Sequence, residues 1–166
     1  TEHPLFKNAD VRRALSLALD REAMAEAITF ATAANGFLPT AVTGAIADRI
    51  STSEKISEAK ELLATVNLTG VSKTFTLSVN DDEASVAMAN LAKAAWEELG
   101  FKVKIDKLGS VKKTVNDKVT NSDLVIYDSE LQVLIKEASY GNRDFDVVGL
   151  NIQMYSADSF VALSAF

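Results

Sequence analysis

Cysteine is absent from the 166 residues. That removes disulfides, thiolate nucleophiles and thiolate-bound zinc, and it leaves the redox compartment open. Histidine occurs once, as His3. So close to the start of the chain it is expected to be exposed, and no Ser-His-Asp arrangement can be built around it. Glycine (7) and proline (2) are scarce, which excludes a low-complexity or disordered composition. The glycines at 36, 44, 70, 100, 109, 141 and 149 never reach GxGxxG or GxxxxGK spacing, so no phosphate loop is present. No apolar run is long enough for a membrane-spanning helix. "TEHPLFKN" is neither basic nor apolar enough for a signal peptide, which a mature chain would have lost. An excess of positive charge is also missing: Lys and Arg total 17 against 23 Asp and Glu, for a net charge of −6. The densest basic stretch, "KVKIDKLGSVKK" (102–113), alternates several of its lysines with apolar residues as a strand face does. Nucleic acid is therefore not an expected partner.

What remains is an ordinary globular composition, 48% hydrophobic and 24% charged, at a length that suits one domain with a sizeable core. No internal repeat or linker divides it. Asn8 is placed to cap a first helix whose face carries Val11, Ala14, Leu15, Ala18 and Leu19. Asp20 caps a second, "REAMAEAI", and the charges of both helices are expected on solvated faces. Gly36, Pro39 and Gly44 punctuate a long loop over 30–45, a class of segment enriched in function. "STSEKISEAKELLATV" (51–66) reads as a helix with a Ser51–Glu54 capping box and an apolar stripe of Ile56, Ala59, Leu62, Leu63 and Val66.

The middle of the chain changes character. "TFTLSV" (74–79) alternates as a strand, and "NDDEASVAMANLAKAAWEELG" (80–100) is a long helix with Val86, Leu91, Ala95 and Leu99 on its apolar side. "FKVKIDKL" (101–108) is a second strand, so this is a βαβ unit with parallel strands and a right-handed crossover. Residues 109–123 read as polar and irregular, and 129–141 as a helix stopped by Gly141. "DFDVVGLNI" (144–152) runs apolar without alternation, as a parallel strand covered on both faces does, and Ser156 opens a final helix over 156–166. That helix reaches the last residue without a stop signal, which is odd for a natural terminus. The fold class is α/β, with a mixed, mainly parallel sheet flanked by helices.

Catalytic chemistry finds no foothold in this pattern. Asp81 and Asp82 sit at a helix start, where capping and the dipole account for them. Asp144 and Asp146 alternate along a strand and so cannot share an ion. Trp96 has apolar neighbours at helical spacing and reads as core. The residues alone describe an α/β domain suited to binding, without cofactor or metal. A stand-alone interaction or structural module stays open, while a hydrolase lacks a nucleophile–base pair.

The opening stretch carries a resemblance. Pro4, Phe6, Val11, Arg12, Ala14, Leu15, Ala18, Leu19, Asp20 and Arg21 match a segment containing V-R-x-A-[LI]-x-x-A-[LI]-D-R. That segment is typical of extracytoplasmic solute-binding proteins of the oligopeptide/dipeptide ABC-transporter class, family 5. Later pieces are similar to the family in the same order: "ANGFLPTAVTG", "SEAKELLATV", "LAKAAWEELGFKVKI" and "FDVVGLNIQMYSADSFVALSAF". The resemblance implies that residues 1–166 are a single domain, a fragment of the C-terminal lobe of a larger two-lobed protein. The fold implied is periplasmic-binding-protein-like, type II, cluster C. It implies no enzyme activity, and capture of a peptide or another small solute for an ABC permease. The location implied is extracytoplasmic, with membrane attachment only through a lipid anchor upstream.

Family members often carry W-x-x-D after the strand matching "FDVVG", the aspartate holding a peptide's amino terminus. This sequence has Asn151, Ile152, Gln153, Met154 and Tyr155 there, with neither tryptophan nor carboxylate. That widens the solute class to sugars, nickel chelates or opines. Asp158 belongs to the cap of the last helix. Asn151, Gln153, Tyr155 and Ser156 are the candidate ligand contacts, because they follow the C-terminal end of a parallel strand. The 109–128 segment has no counterpart in the resemblance and reads as a surface excursion.

Overall fold

The computed structural model describes residues 3–29, 31–39, 41–46, 50–117, 122–150 and 158. Helix α1 (Ala9–Leu17) starts at Asn8, whose side chain accepts from the Asp10 and Val11 N–H groups at 2.8 and 3.3 Å. Helix α2 (Arg21–Glu26) starts at Asp20, which accepts from the Ala23 N–H at 3.0 Å. Both caps satisfy backbone donors that a helix start leaves open, as the sequence predicts.

The charges between them do something else. Arg12 Nη1 donates to the Phe6 carbonyl at 2.6 Å and to that of Lys7 at 3.3 Å. Arg21 Nη1 donates to the carbonyls of Ser16, Leu19 and Ser51 at 3.0, 3.4 and 3.1 Å, and its Nη2 to Ser16 Oγ at 2.9 Å. Both groups tie backbone together, Arg12 from the solvated face expected of it and Arg21 from a half-buried position. Burial pulls the Arg21 pKa below its usual value, yet the group has carbonyl acceptors that favour the cation.

The same junction holds the next helix. The Thr52 carbonyl accepts from Arg21 and Glu22 N–H at 2.8 and 3.3 Å, and Lys55 N–H donates to the Leu17 carbonyl at 2.8 Å. Residues 51–55 are thereby held against α1 and α2, so helix α3 (Ile56–Ala64) begins later than its capping-box pattern predicts. Ser51 Oγ donates to the Ser53 carbonyl instead, and no side chain caps α3. Its stripe is as predicted: Ala59 is buried, and Ile56, Leu62, Leu63 and Val66 pack against the core. Among the described residues, the loop over 30–45 contains neither helix nor strand.

Strand β1 (Thr74–Asn80), helix α4 (Glu83–Glu98) and strand β2 (Lys102–Leu108) form the βαβ unit, β1 and β2 pairing in parallel from Thr74↔Lys102 to Asn80↔Leu108. Asp82 caps α4, and Gly100, at φ +87°, makes the left-handed stop beyond it. The buried stripe of α4 is Ser85, Ala89, Ala92 and Trp96, and Leu91 is 38% exposed. Small residues let the helix lie close to the sheet with one large anchor, Trp96, as its apolar neighbours predict, and of the predicted apolar side Ala95 and Leu99 also pack against this core. Phe75 is at the centre of the core, 1% exposed. Its ring lies 5.1, 5.6 and 6.0 Å from those of Phe6, Trp96 and Phe101. The Trp96 Nε1–H donates to the Leu15 carbonyl at 2.9 Å across this core. His3, expected to be exposed, is half-buried. Its Nδ1 accepts from the Leu5 N–H at 3.2 Å while Nε2 contacts the Thr74 carbonyl at 3.1 Å, pinning the N-terminal segment to the start of β1.

Strand β3 (Ser110–Asp117) and strand β4 (Ser122–Ser129) form an antiparallel hairpin. The sequence reads as irregular there because both faces of the hairpin meet solvent, so no apolar alternation marks it. Helix α5 (Glu130–Ser139) follows, capped by Ser129, and strand β5 (Val147–Val148) completes a parallel sheet in the order β2-β1-β5. Val147 packs on the Phe75 core, and Val148 on a smaller one of Leu108, Leu131 and Leu134 under α5. The unbroken apolar run thus serves two faces, but the strand is only two residues long. Asp144 and Asp146 precede it, and Asp146 Oδ2 accepts from the Thr76 N–H at 2.8 Å, extending the ladder with a side chain. The expected final helix, 156–166, lies outside the described residues except for Asp158, as do residues 151 and 152.

Two measurements check this account. Trp96→Phe leaves the buried Leu15 carbonyl without its donor and should cost about 1–3 kcal/mol in urea unfolding followed by circular dichroism. Asp82→Ala should cost about 1 kcal/mol at neutral pH. The Ser85 backbone N–H, then its hydroxyl, hold the Asp82 carboxyl below its usual pKa. The carboxylate's contribution is therefore complete above the unfolded value of about 4 and is lost as pH falls through the folded one. The stability gap between wild type and Asp82→Ala should close in that acid range.

Candidate functional site

The C-terminal ends of the parallel strands are Asn80, Leu108 and Val148. In open α/β sheets, ligands bind outside this edge. Here it is built as a connected rim. Asp81 N–H donates to the Leu108 carbonyl at 2.9 Å, tying β1 to β2 beyond the ladder. Ser129, the cap of α5, donates its hydroxyl to Asn80 Oδ1 at 2.9 Å. Gly109 donates to Glu130 Oε2 at 3.1 Å, and Glu130 N–H returns to the Gly109 carbonyl at 3.0 Å. The hairpin thus rises directly from the rim.

On the other side of β1, the Gly149 N–H donates to the Ser78 carbonyl at 2.9 Å and carries β5 one residue further. A Cβ on Gly149 would lie 2.8 Å from Val79 Cγ1, so the backbone passes where no side chain fits. Leu150 then reaches the surface, 38% exposed. The candidate contacts Asn151, Gln153, Tyr155 and Ser156 come next in sequence and lie outside the described residues; Asp158 is described and exposed. Beside the rim, a cavity of about 380 Å³ between the sheet and α4 is lined by apolar groups, including Met24, Met88, Trp96, Val147 and Leu150. A larger polar hollow, about 560 Å³, lies away from the strand ends between α1 and α3, where Lys55 and Glu58 pair at 3.3 Å.

Asp82 is occupied as a helix cap, and His3 sits at the start of β1, the edge opposite the rim. Among the described residues, no group of three or more His, Cys, Asp or Glu side chains could hold a metal ion. No helix among them is long and apolar enough to cross a membrane. The Asn80–Ser129 link and the close passage of Gly149 are not visible in the sequence, because each joins positions far apart in the chain.

The family model described as "Bacterial extracellular solute-binding proteins, family 5 Middle" matches residues 1–159. The chain belongs to this family. Solved structures agree in fold. The Listeria monocytogenes ABC transporter substrate-binding protein CtaP superposes with a TM-score of 0.69 at 18% identity, over 98% of this chain and 30% of its own. Burkholderia pseudomallei OppA gives 0.68 at 23%, over 98% and 29%. Haemophilus influenzae OppA, solved in complex with RPPGFSPFR, gives 0.61 at 21%, over 98% and 30%. The chain therefore spans about 30% of the length of these structures. No curated protein matches the sequence. In this family 5 chain the residues of the opening motif have structural work: Val11, Ala14, Leu15 and Ala18 are core, Asp20 caps, and Arg12 and Arg21 bind carbonyls.

Gly149→Ala should destabilise the chain by about 1–3 kcal/mol in urea unfolding. In a double-mutant cycle with Val79→Ala, the two changes should cost less together than their sum, since the smaller residue makes room. Strict additivity would show that the close approach does not constrain the rim.

Proposed function

We propose that this chain is one lobe of an extracytoplasmic ABC-importer substrate-binding protein, which captures a solute without turning it over. The single observation behind this reading is the family 5 match over residues 1–159, on a fold whose parallel strands end in a common rim. Peptide is the leading solute class, in keeping with the peptide held by the similar Haemophilus influenzae protein. A second lobe in the longer protein closes the cleft, a lipid anchor upstream of this segment keeps it at the membrane, and the loaded protein delivers its solute to a permease.

On this reading Asn151, Gln153, Tyr155 and Ser156 contact the ligand beyond the C-terminal end of β5. Amide and hydroxyl groups there hydrogen-bond a peptide backbone without selecting a charge. A second reading, capture of a non-peptide solute, has one observation in its favour: no tryptophan and no carboxylate occupy 151–155, where the family often uses both for a peptide's amino terminus.

Native mass spectrometry of the full-length protein separates the two readings. A spread of released masses that fragment as short peptides supports the first, and one discrete non-peptide mass the second. Recovery of no ligand, with no binding to peptide libraries or small solutes, would overturn both. In the full-length protein, combining Asn151→Ala with Tyr155→Ala should weaken ligand binding by about tenfold or more in calorimetry. Unchanged affinity would remove these residues from the site.

A further inference from the structure

Among the described residues, strands β3 and β4 pair only with each other. Their substantial packing is mutual, apart from contact between β4 and the helix α5 that follows it. A two-stranded ribbon is marginal in water unless something extends or covers it. The register shows which of its backbone groups are free. Glu130 N–H donates to the Gly109 carbonyl, so 109/130 is a hydrogen-bonded pair, and alternate pairs follow. Pairs 111/128, 113/126 and 115/124 bond inward, while 112/127 and 114/125 turn their N–H and C=O groups outward.

The free edge of β3 therefore presents Lys112 and Thr114, and a lysine is a usual guard against edge pairing. The free edge of β4 presents Val125 and Tyr127, 44% and 66% exposed. No lysine, arginine or proline lies between Asp123 and Ser129.

We propose that this edge pairs with β4 of a second copy of the chain about a twofold axis at Ile126, joining two hairpins into one four-stranded antiparallel sheet. The sequence is self-complementary in that register. Val125 falls opposite the partner's Tyr127, a β-branched–aromatic pair made twice by symmetry, and outward-facing groups meet outward-facing groups. Asp123 falls opposite the partner's Ser129, so no two carboxylates face each other, and Asp128 keeps its ion pair with Lys113 within its own hairpin. Moving the axis between Val125 and Ile126 would set Asp123 against the partner's Asp128 and oppose outward groups to inward ones.

The absence of cysteine makes a direct test clean. In this register position 126 meets its own counterpart in a non-hydrogen-bonded pair, about 4.5 Å between Cα atoms and within reach of a disulfide. Oxidised Ile126→Cys should run as a covalent dimer while Lys112→Cys, on the opposite edge, stays monomeric. If Ile126→Cys does not fold, mixed Val125→Cys and Tyr127→Cys chains should cross-link with each other. In sedimentation equilibrium the full-length protein that carries this segment should show a concentration-dependent dimer. Tyr127→Lys, and Val125→Pro, which removes only an outward N–H, should weaken it by about tenfold or more with unchanged circular dichroism. A chain that stays monomeric, or cross-linking no faster at 126 than at 112, overturns the proposal. Slow amide exchange at Val125 and Tyr127 in a monomer would also overturn it and assign the edge to another segment of the polypeptide. Exchange slowed only by an added extended peptide would overturn it and assign the edge to a peptide strand.

Discussion

The hydrogen bond from Trp96 to the Leu15 carbonyl crosses the buried core that joins the helical layer of this structure to its sheet. On one side of it stand α1 and the Arg21 junction; on the other, α4 and the sheet. An indole N–H buried without an acceptor is costly, and so is a carbonyl near a helix end without a donor. Each supplies what the other lacks, and the helix that bears Trp96 must then lie where Phe75 can fill the space beneath it. The aromatic group of Phe6, Phe75, Trp96 and Phe101 follows from that placement, since each ring comes from a different segment and all meet at Phe75, near the start of β1.

The rim inherits its order from this core. β1 is the central strand, and its position fixes both neighbours: β2 by a full-length parallel ladder, β5 by two residues and the close passage of Gly149 over Val79. Arginine plays the corresponding part in the helical layer. Arg21 collects carbonyls from α1, the α1–α2 break and the segment before α3, a task that a planar, permanently charged fork performs better than a lysine would. That explains why a motif so recognisable in sequence sits away from the strand ends where a ligand is expected. The motif secures the scaffold, and the cleft depends on the scaffold.

Much of this was legible in the residues. Asn8, Asp20 and the acidic start of α4 announce helix starts because capping is local chemistry, settled within three or four positions. The βαβ unit was legible because its two strands and long helix differ in period. Ser51 and Glu54 misled because a capping box presumes a free helix start, and the neighbouring helices hold that stretch by its backbone. The hairpin was missed because period-two alternation marks only strands with one buried face. Of the candidate site, the sequence pointed to the strand end before Asn151 but could not show the Asn80–Ser129 link beside it.

By itself, then, the sequence determined the capped helices, the βαβ unit and the family, because periodicity, capping and motif are properties of neighbouring residues. Tertiary structure decided which face of α4 is buried, what Arg12, Arg21 and His3 bind, and that Ser110–Asp117 and Ser122–Ser129 pair as a ribbon standing on the rim. Those outcomes rest on donors and acceptors, and on small residues and large ones, that lie far apart in the chain and meet only once the core has closed.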